Sequence, residues 1–100
     1  MRIFTDRNLT QEIQLEDIHL GIVPAGETKK YSFWLLNNTN AVYRLLEFTC
    51  EHEEIEIIRA PKEIFPQASE ELVIQWNCSV TLEEPLRTII RINGKRHLEP

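Results

Sequence analysis

Alternation of apolar and polar side chains at every second position is the feature that most constrains the fold of this chain. Between Glu71 and Ser79, Leu72, Ile74, Trp76 and Cys78 fall on one face. This two-residue period is that of a β-strand with one buried face. Helical signals are scarce: the stretch "NLTQEIQLEDI" pairs Leu9 with Ile13 at helical spacing, and it is short for a helix. The pattern therefore predicts an all-β fold.

Short apolar runs separated by turn residues indicate where the strands lie. We expect strands over residues 13–23 (with an interruption), 30–37, 43–50, 55–59, 71–79 and 86–93. The run "NNTNA" predicts a turn, since Asn tolerates left-handed backbone and bonds its own backbone. Asn93-Gly94 predicts another turn. Because only "KRHLEP" follows it, we expect the final strand to be missing, very short or supplied by another molecule.

The chain of 100 residues is long enough for one domain with a modest core. We expect residues 1–14 to form an N-terminal arm or an extra strand, and residues 15–100 to form the domain proper. The spacing of strands and turns favours an immunoglobulin-like antiparallel β-sandwich of about seven strands.

Charge and composition exclude several classes of function. The formal net charge of -5 argues against general nucleic-acid binding. No apolar run is long enough to span a membrane, and the N-terminal residues lack the apolar core of a signal peptide. We therefore expect the protein to be made and kept in a cytosol. The chain has only three Gly residues, all in turns, so no phosphate-binding loop, nucleotide cofactor or small-molecule substrate is indicated.

Two short constellations were weighed for chemistry. Cys50 and His52 are two positions apart on one predicted strand, so they point in parallel and do not make a nucleophile and its base. The acidic run "CEHEEIE" around them lacks the second, separated segment that zinc sites use. We expect no catalytic residue, no metal site and no cofactor. Cys50 and Cys78 are expected to be free buried thiols, and a disulfide formed late, outside the cell, stays open as an alternative.

The stretch "LEDIHLGIVPAGETKKYSFWLLNNTNAVYRLLEF" resembles the first half of an ASH-type domain, the immunoglobulin-like module related to major sperm protein. The residues that carry the resemblance are Leu20-Gly21, Gly26-Glu27-Thr28, Phe33, Leu35, Asn37, Thr39, Leu46 and Phe48, followed by the segment from Pro66 to Trp76 and by Ile90-Arg91-Ile92. The resemblance implies an immunoglobulin-like fold and a role in binding or assembly. Small immunoglobulin-like phage virion proteins are similar, and a short chain without a signal peptide fits that setting.

One strand raises a question about partners. In "KKYSFWLL" alternation puts Phe33 and Leu35 on one face, and Trp34 and Leu36 on the other. Trp34 and Leu36 could be covered by the N-terminal segment, could be core residues in a register slipped by one, or could be covered by a partner. The first and third alternatives merge if the arm, with its apolar residues Ile3 and Phe4, lies on a neighbouring copy.

Two arginines are further candidates for contact. Arg87 and Arg91 share one face of the last predicted strand, and residues 51–56 are acidic. The pattern fits either an ordinary solvated face or head-to-tail contact between copies, acid against base.

The sequence therefore predicts a non-catalytic structural module that acts through protein–protein contacts, with self-association as one form of it. The preferred setting is a phage virion, in decoration, neck or tail attachment. The alternative is a cytosolic ASH-like adaptor that binds a peptide of a host protein by strand addition. Neither nucleic acid nor a membrane is expected as a partner.

Overall fold

The computed structural model describes the chain over residues 1–98. Nine strands occur in this part, and no helix is present there that could cross a membrane. The strands are β1 Arg2–Phe4, β2 Glu12–Ile13, β3 Ile18–Gly21, β4 Thr28–Leu36, β5 Ala41–Cys50, β6 Ile55–Arg59, β7 Ser69–Asn77, β8 Leu86–Thr88 and β9 Ile90–Leu98. All strand pairs are antiparallel. The predicted all-β class is confirmed, with nine strands in place of about seven.

The larger sheet has five strands in the order β2-β1-β4-β7-β6. Its centre is the long pair of β4 and β7, in which Tyr31 lies opposite Ile74 and Phe33 opposite Leu72. Leu72, Ile74 and Trp76 are fully buried, as the two-residue period of β7 predicts. Burial of a large apolar side chain contributes roughly 1.5–3 kcal/mol, so this face anchors the domain.

The second layer is built around the chain segment that contains β8 and β9. Only Ile89 separates these two strands. β3 pairs with β8, and β5 pairs with β9. The Ile90 amide donates to the Leu15 carbonyl, whereas the Glu51 amide donates to the Ile89 carbonyl. The hydrogen bonds of Ile89 and Ile90 point to opposite edges of the strand. β3 and β5 therefore lie on the two edges of the β8–β9 segment.

A single core cluster lies between the two layers and draws on most strands. Its buried members are Ile3, Ile18, Leu20, Val23, Phe33, Leu35, Leu46, Ile55, Ile64, Leu72, Ile74, Trp76, Cys78 and Ile90. Two layers around one core is the arrangement of a β-sandwich.

The N-terminal segment forms strands of the larger sheet. In β1, Ile3 pairs with Leu35 and Phe4 pairs with Trp34 of the same chain. Ile3 is 2% exposed and Phe4 is 3% exposed. Phe33 and Leu35 are buried while Trp34 is half-buried, so the register is not slipped by one.

The predicted turn at Asn93-Gly94 is wrong. β9 runs straight through these residues and pairs with β5 as far as Leu98. β5 carries a bulge at this point: Arg44 pairs with Lys95 and Glu47 with Asn93, so two β5 residues face Gly94 alone. A β-carbon on Gly94 would lie 2.6 Å from Leu46 Cδ2. A side chain at this position would have to displace Leu46, so the glycine is explained by close approach of another strand and not by a turn.

Candidate protein-binding edge

One edge of β9, called the outer edge below, is only partly covered. The other edge pairs with β5 along its whole length. Along the outer edge, β3 reaches only as far as β8, and the Leu15 carbonyl then accepts a hydrogen bond from the Ile90 amide. Backbone groups of a strand alternate between its two edges. Ile92 and Gly94 therefore point their N–H and C=O groups away from β5, and within residues 1–98 no strand pairs with β9 on that side of these two residues.

A pocket of about 250 Å³ opens beside this edge, between the two layers. Its lining residues are Met1, Leu15, Tyr43, Leu46, Ile92 and Gly94. Every side chain in this lining is apolar or aromatic. Gly94 contributes no side chain, and Leu46 of β5 packs closely against it. The pocket is where an inward-facing side chain of a further strand would enter the sandwich.

The outward face of β9 is basic. Arg91 and Lys95 are exposed on either side of Asn93. Among the described residues, no carboxylate lies within 4.0 Å of either cation. Their neighbours on β5 are Thr49, opposite Arg91, Glu47, opposite Asn93 between them, and Arg44, opposite Lys95. The charges of Arg91 and Lys95 are thus left for an external partner or for solvent.

The β5 bulge shapes the opposite side of this region. Leu45 has a φ of 54°, in the left-handed region that Leu rarely adopts. Its side chain is 67% exposed. It lies over a shallow hollow of about 560 Å³ whose lining includes Lys62 and Glu63. The bulge therefore serves two purposes: it turns Leu45 outward and brings Leu46 against Gly94.

The contact residues predicted from sequence are placed in different surroundings. Trp34 and Leu36 are half-buried on the outward face of β4. Ile3 and Phe4 are buried within their own chain, where the Arg2 guanidinium lies 5.2 Å from the Phe4 ring centroid. They hold the N-terminal segment to its own sheet, and we do not propose them as contacts to a partner.

The two predicted arginines differ from each other. Arg87 forms a two-pronged ion pair with Asp17, at 2.7 and 2.6 Å. This contact lowers the pKa of Asp17 to about 2, and His19 adds a smaller effect in the same direction. The charge of Arg87 is therefore already paired within the chain. Of the two arginines, Arg91 is the one that faces solvent beside the open edge.

The side chains once weighed for catalysis make other contacts. The Cys50 thiol lies 3.5 Å from the Thr88 hydroxyl. His52 Nδ1 accepts the Glu54 amide, and its ring meets Trp76 edge-on, with the centroids 6.2 Å apart. These contacts fix the strand end and do not aim a base at a nucleophile. Both cysteines are free thiols.

One residue of the acidic run, Glu54, makes hydrogen bonds within the domain. Glu54 accepts hydrogen bonds from the Ser79 hydroxyl and from Trp76 Nε1. The Ser79 hydrogen bond is the main reason why the pKa of Glu54 is lowered. Among the described residues, no three His, Cys, Asp or Glu side chains converge to hold a metal ion.

Comparisons with protein-family models, with curated proteins and with solved structures gave no match for this chain. The resemblance to ASH-type domains and to phage virion proteins thus stays a prediction from sequence motifs. A function is therefore proposed from the fold class and from the geometry of the β9 edge.

Sequence reasoning missed most of the residues that form this edge. Met1, Leu15 and Tyr43 carry no local signal for a pocket, because they come together only through pairing of distant strands. The Asn93-Gly94 pair is a turn signal in the sequence, but in the structure it lies within the continuous strand β9. Its position between Arg91 and Lys95, all on one alternating stretch, was the available sign of a continuing edge strand.

Proposed function

We propose that this chain is a non-catalytic structural module that joins other proteins by accepting an extended segment at the outer edge of β9. The setting that we propose is a phage virion, where such a module would serve in decoration, neck or tail attachment. The observation that supports the proposal is the open edge at Ile92 and Gly94, with an apolar pocket directly beside it. Resemblance of the sequence motifs supports the setting.

Comparison of β9 with the two outer strands of the larger sheet supports this choice. Natural proteins protect exposed edges by making them short, charged or bulged. β2 has only two residues. β6 has five residues, carries exposed charges on Glu56 and Arg59, and is irregular at Ile58. β9 is longer. It also carries exposed charges, on Arg91 and Lys95, but the two residues whose backbone groups face the open edge, Ile92 and Gly94, are uncharged. Of these three strands, β9 therefore offers the longest stretch for strand addition.

A second candidate function is that of a cytosolic adaptor that binds a peptide of a host protein at the same edge. The pocket favours this candidate, since peptide recognition by strand addition obtains specificity from pockets for alternate side chains. The two candidates share one binding surface. They differ in whether the bound segment belongs to a particle or to a soluble protein.

Site-specific photocrosslinking tests both candidates. A photoreactive amino acid at Asn93, which is exposed between Arg91 and Lys95, would sit beside an added strand. The same amino acid at Ser32, exposed on the outward face of β4, is the matched control. We expect Asn93 to give one discrete adduct in the native host, and Ser32 to give none. The crosslinked fraction is then separated by sedimentation.

The location of the adduct decides between the two settings. An adduct that sediments with particles supports the virion module, and an adduct in the soluble fraction supports the adaptor. No adduct from Asn93, or equal adducts from Asn93 and Ser32, would show that the β9 edge is not a binding surface, and both candidates would then be wrong.

A further inference from the structure

We infer that the β9 edge accepts an extended segment in which two acidic residues flank a pair of apolar ones, in the order acidic, aromatic, any, apolar, acidic. This inference rests on the proposed function and names the chemistry of the partner. Three features of the described residues support it: the direction of the free backbone groups, the shape of the pocket and the charge of the outward face.

The backbone fixes which positions pair. Ile92 and Gly94 direct their N–H and C=O groups outward, and the strand that precedes them on this edge, β3, runs antiparallel to β8. An added strand in the same orientation would place one residue opposite Gly94, the next opposite Asn93 and the third opposite Ile92. The first and third residues would exchange backbone hydrogen bonds and direct their side chains inward.

The pocket sets the nature of these two inward residues. Both would contact a lining that includes Met1, Leu15 and Tyr43. The residue opposite Gly94 would face a position that has no side chain of its own and against which Leu46 of β5 packs closely. A large aromatic ring beside a glycine is a recognised way to complete a sheet at such a point. The residue opposite Ile92 needs only a smaller apolar side chain.

The outward face sets the flanking residues. Side chains opposite Lys95 and Arg91 would point outward beside two cations for which the described residues supply no carboxylate. Opposite charges directly across a strand pair stabilise it, and like charges destabilise it. The chain as a whole is acidic, with a net charge of -5, so a basic stripe beside the open edge is a local departure from the overall charge.

The same rule disfavours a second copy as the occupant. Antiparallel pairing of β9 with β9 about Asn93 would set Arg91 of each copy against Lys95 of the other. Two like-charge contacts would then form in place of two favourable ones. A different polypeptide with acidic residues at these positions fits the edge better.

Short capped peptides test this inference with the full chain. The probe contains Glu-Phe-Thr-Val-Glu, and two matched peptides replace either both Glu by Lys or the Phe by Ser. Hydrogen exchange of the Ile92 and Gly94 amides and NMR titration are the readouts. We expect the acidic probe to slow exchange of both amides by about tenfold or more, and each replacement to weaken binding by about tenfold.

Protein variants provide the reciprocal test. Arg91→Glu combined with Lys95→Glu should reverse the preference, so that the Lys peptide binds better than the Glu peptide. Lys29→Glu combined with Lys30→Glu, on exposed positions of β4, changes the net charge equally and should preserve the preference for the Glu peptide. Circular dichroism of each variant verifies that it is folded.

Several results would overturn the inference. Equal protection by the Glu and Lys peptides would leave strand addition standing but would refute the acidic partner. Amide protection that grows with protein concentration in the absence of peptide would identify a second copy as the occupant. Slow exchange of Ile92 and Gly94 in the free chain would mean that the edge is closed, and the proposed function would fail with the inference. No protection by any peptide, with fast exchange in the free chain, would refute this partner chemistry, and crosslinking at Asn93 would still decide the function.

Discussion

Gly94 on β9 lies opposite Leu46 in the β5 bulge, so close that a β-carbon on Gly94 would lie 2.6 Å from Leu46 Cδ2 and 3.2 Å from the Arg44 carbonyl oxygen. Leu46 is only 7% exposed and belongs to the core. The glycine therefore links the bulge to the open edge. It lets β5 carry an additional residue while β9 stays continuous, and both Gly94 and Leu46 line the pocket beside Ile92.

Gly94→Ala is expected to destabilise the domain. The added methyl group must displace Leu46, which is packed on the side away from solvent, and overpacking of this kind costs about 1–3 kcal/mol. Urea unfolding followed by tryptophan fluorescence measures the change. Asn93→Ala is the control, because Asn93 is exposed and its loss should change the free energy of unfolding by less than about 0.5 kcal/mol. Equal effects of the two substitutions would argue against the close packing of Gly94.

Strand positions and faces could be predicted from sequence because both depend on local patterns. The two-residue period identified Leu72, Ile74 and Trp76 as one buried face, and the structure confirms it. The same period placed Phe33 and Leu35 together on one side of β4, where both are buried. Such patterns depend only on neighbouring residues along the chain, so no knowledge of pairing is needed.

Pairing between distant strands could not be predicted in the same way. Asn93-Gly94 is a strong turn signal. Here, however, the glycine accommodates close packing of Leu46, which lies far away in sequence. The non-glycine residue Leu45 takes the left-handed conformation of the bulge, although turn chemistry would favour Gly or Asn there. The expectation of a missing final strand depended on that turn, whereas β9 continues to Leu98 because of contacts that local patterns do not contain.

Asn37→Asp is expected to be strongly destabilising. Asn37 is fully buried, and its Nδ2 donates to the carbonyls of Ala41 and Ile64 at 2.7 and 2.9 Å. A carboxylate cannot donate these bonds and would face two carbonyl oxygens, so we expect a loss of about 3 kcal/mol or more at neutral pH. Chemical denaturation measures it, with exposed Asn38→Asp as the control.

The pH dependence of the Asn37→Asp variant gives a second readout. Burial raises the pKa of the introduced acid above its unfolded value. Stability should therefore be greatest below the unfolded pKa and should fall as pH rises toward the folded pKa. Equal stability at acidic and neutral pH would contradict a buried carboxylate at this position.

The Asp17–Arg87 pair predicts a stability change in the acid range. Its ion pair lowers the pKa of Asp17 from 3.8 to about 2. The contribution of Asp17 to stability is present above the unfolded pKa and is lost as pH falls from about 4 toward 2. Arg87→Gln should return the pKa of Asp17 toward its ordinary value in an NMR titration. Arg59→Gln, which alters a different ion pair with Glu71, should leave the Asp17 titration unchanged.

A change of charge on β9 is expected to create self-association. In an antiparallel β9–β9 pair about Asn93, Arg91 of one copy faces Lys95 of the other, so the wild-type chain should stay monomeric through this edge. Arg91→Glu replaces both like-charge contacts with opposite-charge contacts and leaves the free backbone groups of Ile92 and Gly94 in place. Light scattering behind a sizing column, over a wide range of concentration, should show a dimer of the variant that high salt weakens.

Arg59→Glu on the edge strand β6 is the matched control for this experiment. It reverses one exposed charge on the short and irregular edge of the other sheet, and it should remain monomeric. A dimer of both variants would indicate nonspecific association caused by charge. A monomer of Arg91→Glu at every concentration would show that charge repulsion is not what keeps the β9 edge unpaired, and the match between acidic partners and this edge would lose its physical basis.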